Sequence, residues 1–253
     1  MYDVPVLTPR SADEAAKAFG DGTDMTVLGG GTILLPEITY ARAKPKQVLM
    51  LAQSGLARIE RANGTVTIGA AVRAVELEDG DEPLATAARY LGDPEVRAQA
   101  TVGGNLCAPP GEAPRGDLQA PLVVLGARVR SAGKGGERTE PVEDFLAGGP
   151  QGRLVLDVSY DDVDRQTGYA AFWRPHTHHY TILAVAAARA NGELRIAATG
   201  AGPTAVRLTS VEQSGKPEDA VRDVDPPDDA LASAWYRKRI LPKLVARALE
   251  SVG

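Results

Sequence analysis

Ala100-Thr101-Val102-Gly103-Gly104-Asn105-Leu106-Cys107 sets a glycine pair between an apolar-alternating run and a proline-rich loop. Glycine loses more backbone entropy on folding than any other residue. Adjacent glycines therefore mark either a positive φ angle or an approach too close for a Cβ. A flat or charged ligand would supply such an approach. Thr101 and Asn105 flank the pair with short hydrogen-bonding side chains, and the N–H groups of Val102, Gly103 and Gly104 are expected to form a concave anion-binding nest.

Upstream of this stretch lies a second glycine cluster. Thr26-Val27-Leu28 reads as a strand running into Gly29-Gly30-Gly31-Thr32 and then Ile33-Leu34-Leu35, the strand-to-glycine order used by phosphate-binding loops. Gly29 and Gly31 fit the start of the dinucleotide fingerprint, but Leu34 stands at the third glycine's place and no Gly-Lys-Ser/Thr follows. Taken alone, the cluster reads either as a turn or as a ligand contact. Around it, Val4–Leu7 is a strand, and Ser11 with Glu14 has the capping-box spacing of a helix ending near Gly20. Gln47–Met50 is a further strand. Ala57–Arg61 and Thr65–Gly69 alternate around Asn63-Gly64, a hairpin signature. Pro83–Leu91 has helical texture, and Pro94 starts a helical turn.

Downstream, Pro109 to Pro114 reads as a loop, and Asp117 as the N-cap of a helix over Leu118–Leu125. A hairpin over Val129–Thr139, a short helix over Val142–Leu146 and a buried strand over Leu154–Val158 follow. An aromatic-rich strand to Trp173 is expected next, with a helix from Tyr180 to Ala190, a turn at Asn191-Gly192, and strands over Leu194–Ala198 and Ala205–Leu208. Pro217–Asp228 reads as a mobile connection, and Asp229–Glu250 as a closing helix that Pro242 kinks or splits.

Composition bounds the function. The chain has 253 residues, 43% hydrophobic and 24% charged, enough for a substantial core. Its net charge of −5 with no basic block gives no support to nucleic-acid binding. No stretch reads as a signal peptide or a membrane span, so a cytoplasmic location is expected. A single cysteine, Cys107, excludes an intrachain disulfide and a cysteine-only metal cluster held by this chain, and its apolar setting reads as an inert thiol. Asp161-Asp162-Val163-Asp164 lacks the spacing of a calcium loop and reads as a solvated turn. His176, His178 and His179 lie beside Pro175 without a Glu or Cys to complete a ligand set, so a surface turn or partner contact is the expectation. No metal ligands and no catalytic residues are assigned.

Together, Gly29-Gly30-Gly31-Thr32-Ile33-Leu34-Leu35-Pro36 and Ala100 to Cys107 resemble the two flavin-binding loops of the FAD-binding medium subunit of molybdenum hydroxylases of the carbon monoxide dehydrogenase and xanthine dehydrogenase type. The resemblance extends through Leu49-Met50-Leu51, Pro121 to Ala127, Ala197 to Arg207 and Trp235 to Leu249. It implies an α+β fold: a two-subdomain FAD-binding domain of the vanillyl-alcohol-oxidase type plus a small C-terminal α+β domain, divided as 1–55, 56–163 and 164–253. It implies FAD as cofactor, with Gly29, Gly30, Gly31, Thr32, Ile33, Thr101, Val102, Gly103, Gly104 and Asn105 around the pyrophosphate and Asp117 on a sugar or ribityl hydroxyl. The implied partners are a molybdenum-cofactor large subunit and an iron–sulfur small subunit. The implied work is electron transfer from the iron–sulfur clusters to NAD, a quinone or oxygen. The chain departs from the family at Ile33, where a polar residue is common, at Ala171, where many members carry lysine, and at His178-His179-Tyr180, where an acidic residue is usual. A stand-alone flavin oxidase and a non-catalytic protein on a degenerate flavin fold are the alternatives.

Overall fold

The computed structural model describes residues 4–109, 116–173 and 180–253. It begins with β1 (Val6–Leu7), α1 (Ala12–Phe19), β2 (Met25–Leu28), α2 (Leu34–Thr39), β3 (Gln47–Met50), β4 (Ile59–Ala62) and β5 (Thr65–Gly69). The middle holds α3 (Leu84–Tyr90), α4 (Pro94–Arg97), α5 (Val102–Leu106), α6 (Gln119–Val124), β6 (Arg128–Gly133), β7 (Gly136–Pro141), α7 (Val142–Gly148) and β8 (Arg153–Asp161). Then come β9 (Gln166–Trp173), β10 (Thr181–Ala190), β11 (Glu193–Thr199), β12 (Val206–Arg207), α8 (Thr209–Ser214) and α9 (Ala234–Leu249). These elements fall into two compact units, one of Met1–Ala74, Ala98–Cys107 and Arg128–Asp162, the other of Val75–Arg97, Ala108–Ala127 and Val163–Gly253. The span 56–163 contributes residues to both.

In the first unit a parallel sheet of order β1-β3-β2 accompanies a five-stranded antiparallel sheet of order β4-β5-β8-β6-β7. The capping box starts α1. The Ser11 hydroxyl accepts from the Glu14 N–H at 3.1 Å, while the Glu14 carboxylate accepts from the Arg10 N–H at 2.7 Å, one residue before the cap. Ala15 and Phe19 on the buried face of α1 pack with Leu49 of β3 and with Leu154 and Leu156 of β8, so one helix serves both sheets. Leu49 and Leu156 are fully buried, each contributing roughly 1.5–3 kcal/mol by the usual transfer scale. The β4–β5 hairpin turns through Asn63 and Gly64, both at positive φ, as a two-residue primed turn requires.

The second unit is built on an antiparallel sheet of order β12-β11-β10-β9. Its centre corrects one expectation: Thr181–Ala190 is a ten-residue strand, not a helix. Alanine-rich composition favours a helix in isolation, but β9 and β11 pair with both edges of this segment while α9 and α6 lie against it. Burial on both faces suits small and β-branched side chains, and Ile182 to Ala187 are almost completely buried. The acidic stretch after α8 corrects another. Pro217–Arg222 forms a 3₁₀ helix whose Ala220, with Val224 beyond it, enters the core, and Asp223 accepts from the Ser210 N–H and hydroxyl at 2.9 and 2.7 Å. The closing helix starts at Ala234 rather than Asp229. Asp228 accepts from the Ala234 N–H, Asp229 from Leu231 and Ala232, and Ser233 supplies the cap. It runs through Pro242 as one helix.

One side chain of α9 fixes the end of the sheet. Arg237, fully buried, donates to the carbonyls of Ile182 at 2.6 Å and Gly200 at 3.0 Å and pairs with buried Asp229 at 2.7 Å. It ties the first residues of β10 to the residue just past β11, which sets the position of Thr181.

Candidate functional site

The first glycine cluster connects β2 to α2, with Gly31 at φ +77°. Ile33 occupies the N-cap position of α2 without a side-chain cap, and Gly31 O accepts from Leu35 N–H at 2.9 Å. The peptide N–H groups of Gly29, Gly30, Gly31, Thr32 and Ile33 have no hydrogen-bond acceptor among the described residues. All five residues are half-buried and none carries a charge. A run of unspent peptide donors of this kind suits an anion, which would satisfy them without a cationic side chain.

The second cluster behaves differently. Thr101 caps α5, its hydroxyl accepting from the Gly104 N–H at 3.2 Å. Val102 N–H donates to Val72 O, Gly103 N–H to Ala70 O and Asn105 N–H to Thr101 O, at 2.8–2.9 Å. The nest expected over 101–105 is therefore not open: each of these N–H groups is already spent within the protein. Neither Gly103 nor Gly104 has a positive φ. A Cβ on Gly103 would lie 2.8 Å from Ala70 Cβ, so that glycine serves packing against the end of β5.

The two clusters meet inside the first unit. A Cβ on Gly30 would overlap the carbonyl oxygen of Gln99, and one on Gly29 would stand 2.6 Å from Thr101 Oγ1. The first loop thus lies directly on the segment leading into the second, and glycine is what permits it. Thr101 itself is held from behind by a bridge to Arg73 and by Ala74 N–H donating to Ala100 O at 2.8 Å.

Asp117 belongs to the second unit and is not the helix cap; that position is Leu118. Its side chain turns inward instead, 6% exposed, accepting from the Thr181 hydroxyl and its own backbone N–H, while Oδ1 has no partner among the described residues. Burial pushes its pKa up to about 7, with the Thr181 bond acting in the opposite direction. The hydroxyl of Tyr169 is also buried and unpartnered, and its ionisation is driven well above the usual range, first by burial and then by Asp117 and Tyr90. Tyr90 stacks on Tyr169 with ring centroids 5.9 Å apart and tilts against Trp173 at 4.9 Å. The sequence reading missed this aromatic group. Its one signal was the alternation Tyr169-Ala171-Trp173, which puts these positions on one face of β9 while Gly168 and Ala170 face the α9 side.

Among the remaining sequence candidates, Cys107 is a poor nucleophile, its thiol pushed up to about 12 by burial. Asp162 is ion-paired with Arg61 at 2.8 Å. His176, His178 and His179 lie outside the described residues. No helix among the described residues is long and apolar enough to cross a membrane.

Fold and loops together define an α+β protein that offers an anionic group a row of peptide N–H donors on a glycine-built floor. Residues 2–159 match the family model described as the FAD binding domain in molybdopterin dehydrogenase, and the chain belongs to that family. It is similar to the 6-hydroxypseudooxynicotine dehydrogenase complex subunit alpha of Paenarthrobacter nicotinovorans, 26% identical over 94% of this chain and 90% of the relative. It is also similar to the carbon monoxide dehydrogenase medium chain of Hydrogenophaga pseudoflava, 25% identical over 96% and 94%. A solved structure of carbon monoxide dehydrogenase from that organism, lacking the Mo-pyranopterin moiety of its cofactor, superposes with a TM-score of 0.86 over 98% of this chain and 96% of its own, at 25% identity. The resemblance carried by the paired glycine loops is thereby established. The chain is a flavoprotein subunit of oxidoreductase type and its cofactor is FAD.

Proposed function

We propose that this chain is the electron-transfer subunit of a cytoplasmic molybdenum hydroxylase, assembling with a molybdenum-cofactor large subunit and an iron–sulfur small subunit. In that complex it takes electrons from the iron–sulfur clusters and passes them to NAD, a quinone or oxygen. The observation that carries the reading is the run of unspent N–H groups from Gly29 to Ile33, a donor set suited to the pyrophosphate of FAD. We assign Gly29, Gly30, Gly31, Thr32 and Ile33 as those donors. Thr101, Val102, Gly103, Gly104 and Asn105 form the floor beneath them, and Asp117 accepts a hydroxyl of the flavin's polyol chain. The division 1–55, 56–163 and 164–253 is retained as the proposed division into functional domains.

Bound FAD supplies the redox chemistry, and the protein's residues hold and tune it. The peptide donors neutralise the diphosphate without cations, consistent with a chain of net charge −5. Burial pushes the Cys107 thiol up to about 12, so it offers little thiolate for nucleophilic attack at neutral pH.

The test is anaerobic reduction of the purified, FAD-loaded chain, alone and with its co-expressed partner subunits. The organic substrate should bleach the flavin band only in the presence of the iron–sulfur subunit. Direct bleaching of the isolated chain would establish a stand-alone oxidase instead. A chain that takes up no FAD would establish a degenerate scaffold.

A further inference from the structure

In the second unit, Asp117 and Tyr169 each carry a buried polar atom that is not satisfied. Asp117 Oδ1 and the Tyr169 hydroxyl are each shielded from solvent and unbonded among the described residues, so each has given up water without gaining a replacement partner. They are near enough for the charge of Asp117 to act on Tyr169, yet they do not bond to one another. A pair left open in this way is complementary to a group that accepts from the phenol and donates to the carboxylate. A ligand hydroxyl does both.

The surroundings narrow the ligand further. Tyr90 and Trp173 are 38% and 37% exposed although they pack on one another, so the two rings present aromatic surface beside the polar pair. Ala171 lies between Tyr169 and Trp173 on the same strand face with a side chain of a single methyl group. Thr181, fixed by the Arg237 clamp on the adjoining Ile182, holds the other side of the Asp117 carboxylate. A hydroxylated chain attached to a flat ring matches this combination of one donor, one acceptor and an aromatic wall.

We infer that Tyr169 is a flavin-selecting residue that works with Asp117, the phenol donating to and the carboxylate accepting from one hydroxyl of the ribityl chain, with Tyr90 and Trp173 as the wall beside it. The inference rests on the proposed assignment of Asp117 to the flavin and adds to it a second polar residue and an aromatic surface. It predicts that discrimination between ligands with and without the flavin resides in the second unit.

The experiment compares the wild-type chain with Tyr169→Phe and Asp117→Asn by fluorescence titration with FAD and riboflavin and by calorimetry with ADP. Far-ultraviolet circular dichroism checks folding. Tyr169→Phe removes one oxygen and nothing else, so it remains interpretable if Asp117→Asn fails to fold. Loss of one buried hydrogen bond should weaken FAD and riboflavin binding by about tenfold in Tyr169→Phe while ADP affinity stays unchanged. Wild-type affinity for FAD in a folded Tyr169→Phe would overturn the inference and leave the proposed function standing. Equal losses for FAD and ADP would also overturn it. Absence of FAD binding by the wild-type chain would remove the proposed function and this inference with it.

Discussion

The two glycine clusters of the first unit resemble one another in sequence and differ in what they do with their peptide groups. Gly29 to Ile33 leaves its N–H groups unspent, whereas Val102 to Asn105 commits all of its own to Val72, Ala70 and Thr101. The first cluster is a donor surface and the second is the platform on which it rests. A glycine run therefore has two physical meanings, freedom to present backbone and freedom to be packed against, and composition alone does not separate them. The contacts do. Gly30 is glycine because Gln99 O lies where a Cβ would be, Gly103 because Ala70 does.

The largest expected effect breaks the contact between the two clusters. Gly30→Ala would drive a methyl group into the Gln99 carbonyl, and no rotamer change relieves a clash with backbone. We expect a loss on the order of 4 kcal/mol in urea unfolding, or failure to fold, and FAD binding lost with it. A Gly30→Ala chain as stable as wild type would mean the loops do not lie against each other as described. The next effect contrasts neutral donors with an acid. The first loop's N–H groups do not titrate, so its contribution is insensitive to pH, whereas Asp117 carries a pKa raised from about 4 to about 7. The folded state then binds more protons than the unfolded state between those values. Asp117-linked stability should be complete below pH about 4 and lost as the pH climbs through about 7, by roughly 4 kcal/mol. Asp117→Asn should flatten that part of the profile, and an unchanged slope would place the titration elsewhere. Gly103→Ala comes third, at about 2 kcal/mol, since Ala70 Cβ and O stand 2.8 and 3.0 Å from the new methyl and belong to a fixed strand end.

These contacts also mark where the sequence could be read and where it could not. Local rules were sufficient for the capping box at Ser11 and the primed turn at Asn63-Gly64, because each is set by neighbours a few residues away, whereas the two glycine clusters, distant in the chain, were legible as one motif only through the family resemblance. Thr181–Ala190 was misread because its conformation is decided by partners elsewhere in the chain: two paired strands and two covering helices override alanine's local preference. Asp117 was misread for a related reason. Asp before an apolar run is a common cap, and only tertiary structure shows it turned toward Thr181 and Tyr169. The nest over 101–105 failed on a subtler point, since its flanking residues were right but the acceptors at Ala70 and Val72 come from another part of the chain.

A smaller effect should reveal how the clusters are coupled. Gly29→Ala would push Thr101 Oγ1 away from the Gly104 N–H that it caps, and Thr101→Ala removes the same bond, each costing about 1 kcal/mol. Because both mutations break one interaction, the double variant should lose clearly less than the two single losses added together. Strict additivity would show that Thr101 is not what keeps residue 29 a glycine.

The smallest effect on stability belongs to Gly104, and it separates the two meanings of glycine most cleanly. Its φ is ordinary, and among the described residues Thr101 Oγ1 at 3.0 Å is the one atom outside the helix backbone and the adjoining residues within 4 Å of where a methyl group would stand. In a helical turn alanine gains up to about 1 kcal/mol over glycine, which offsets the contact with a rotatable hydroxyl. Gly104→Ala should therefore unfold within about 0.5 kcal/mol of wild type. Neither backbone conformation nor packing then requires glycine at this position, and the proposed assignment of Gly104 to the FAD site supplies close approach of the ligand as the reason. FAD affinity should accordingly fall by more than about tenfold in a fully stable protein, as expected for a steric clash worth over about 1.4 kcal/mol. Unchanged affinity would make the second cluster a platform throughout and leave the first cluster alone to contact FAD within this unit.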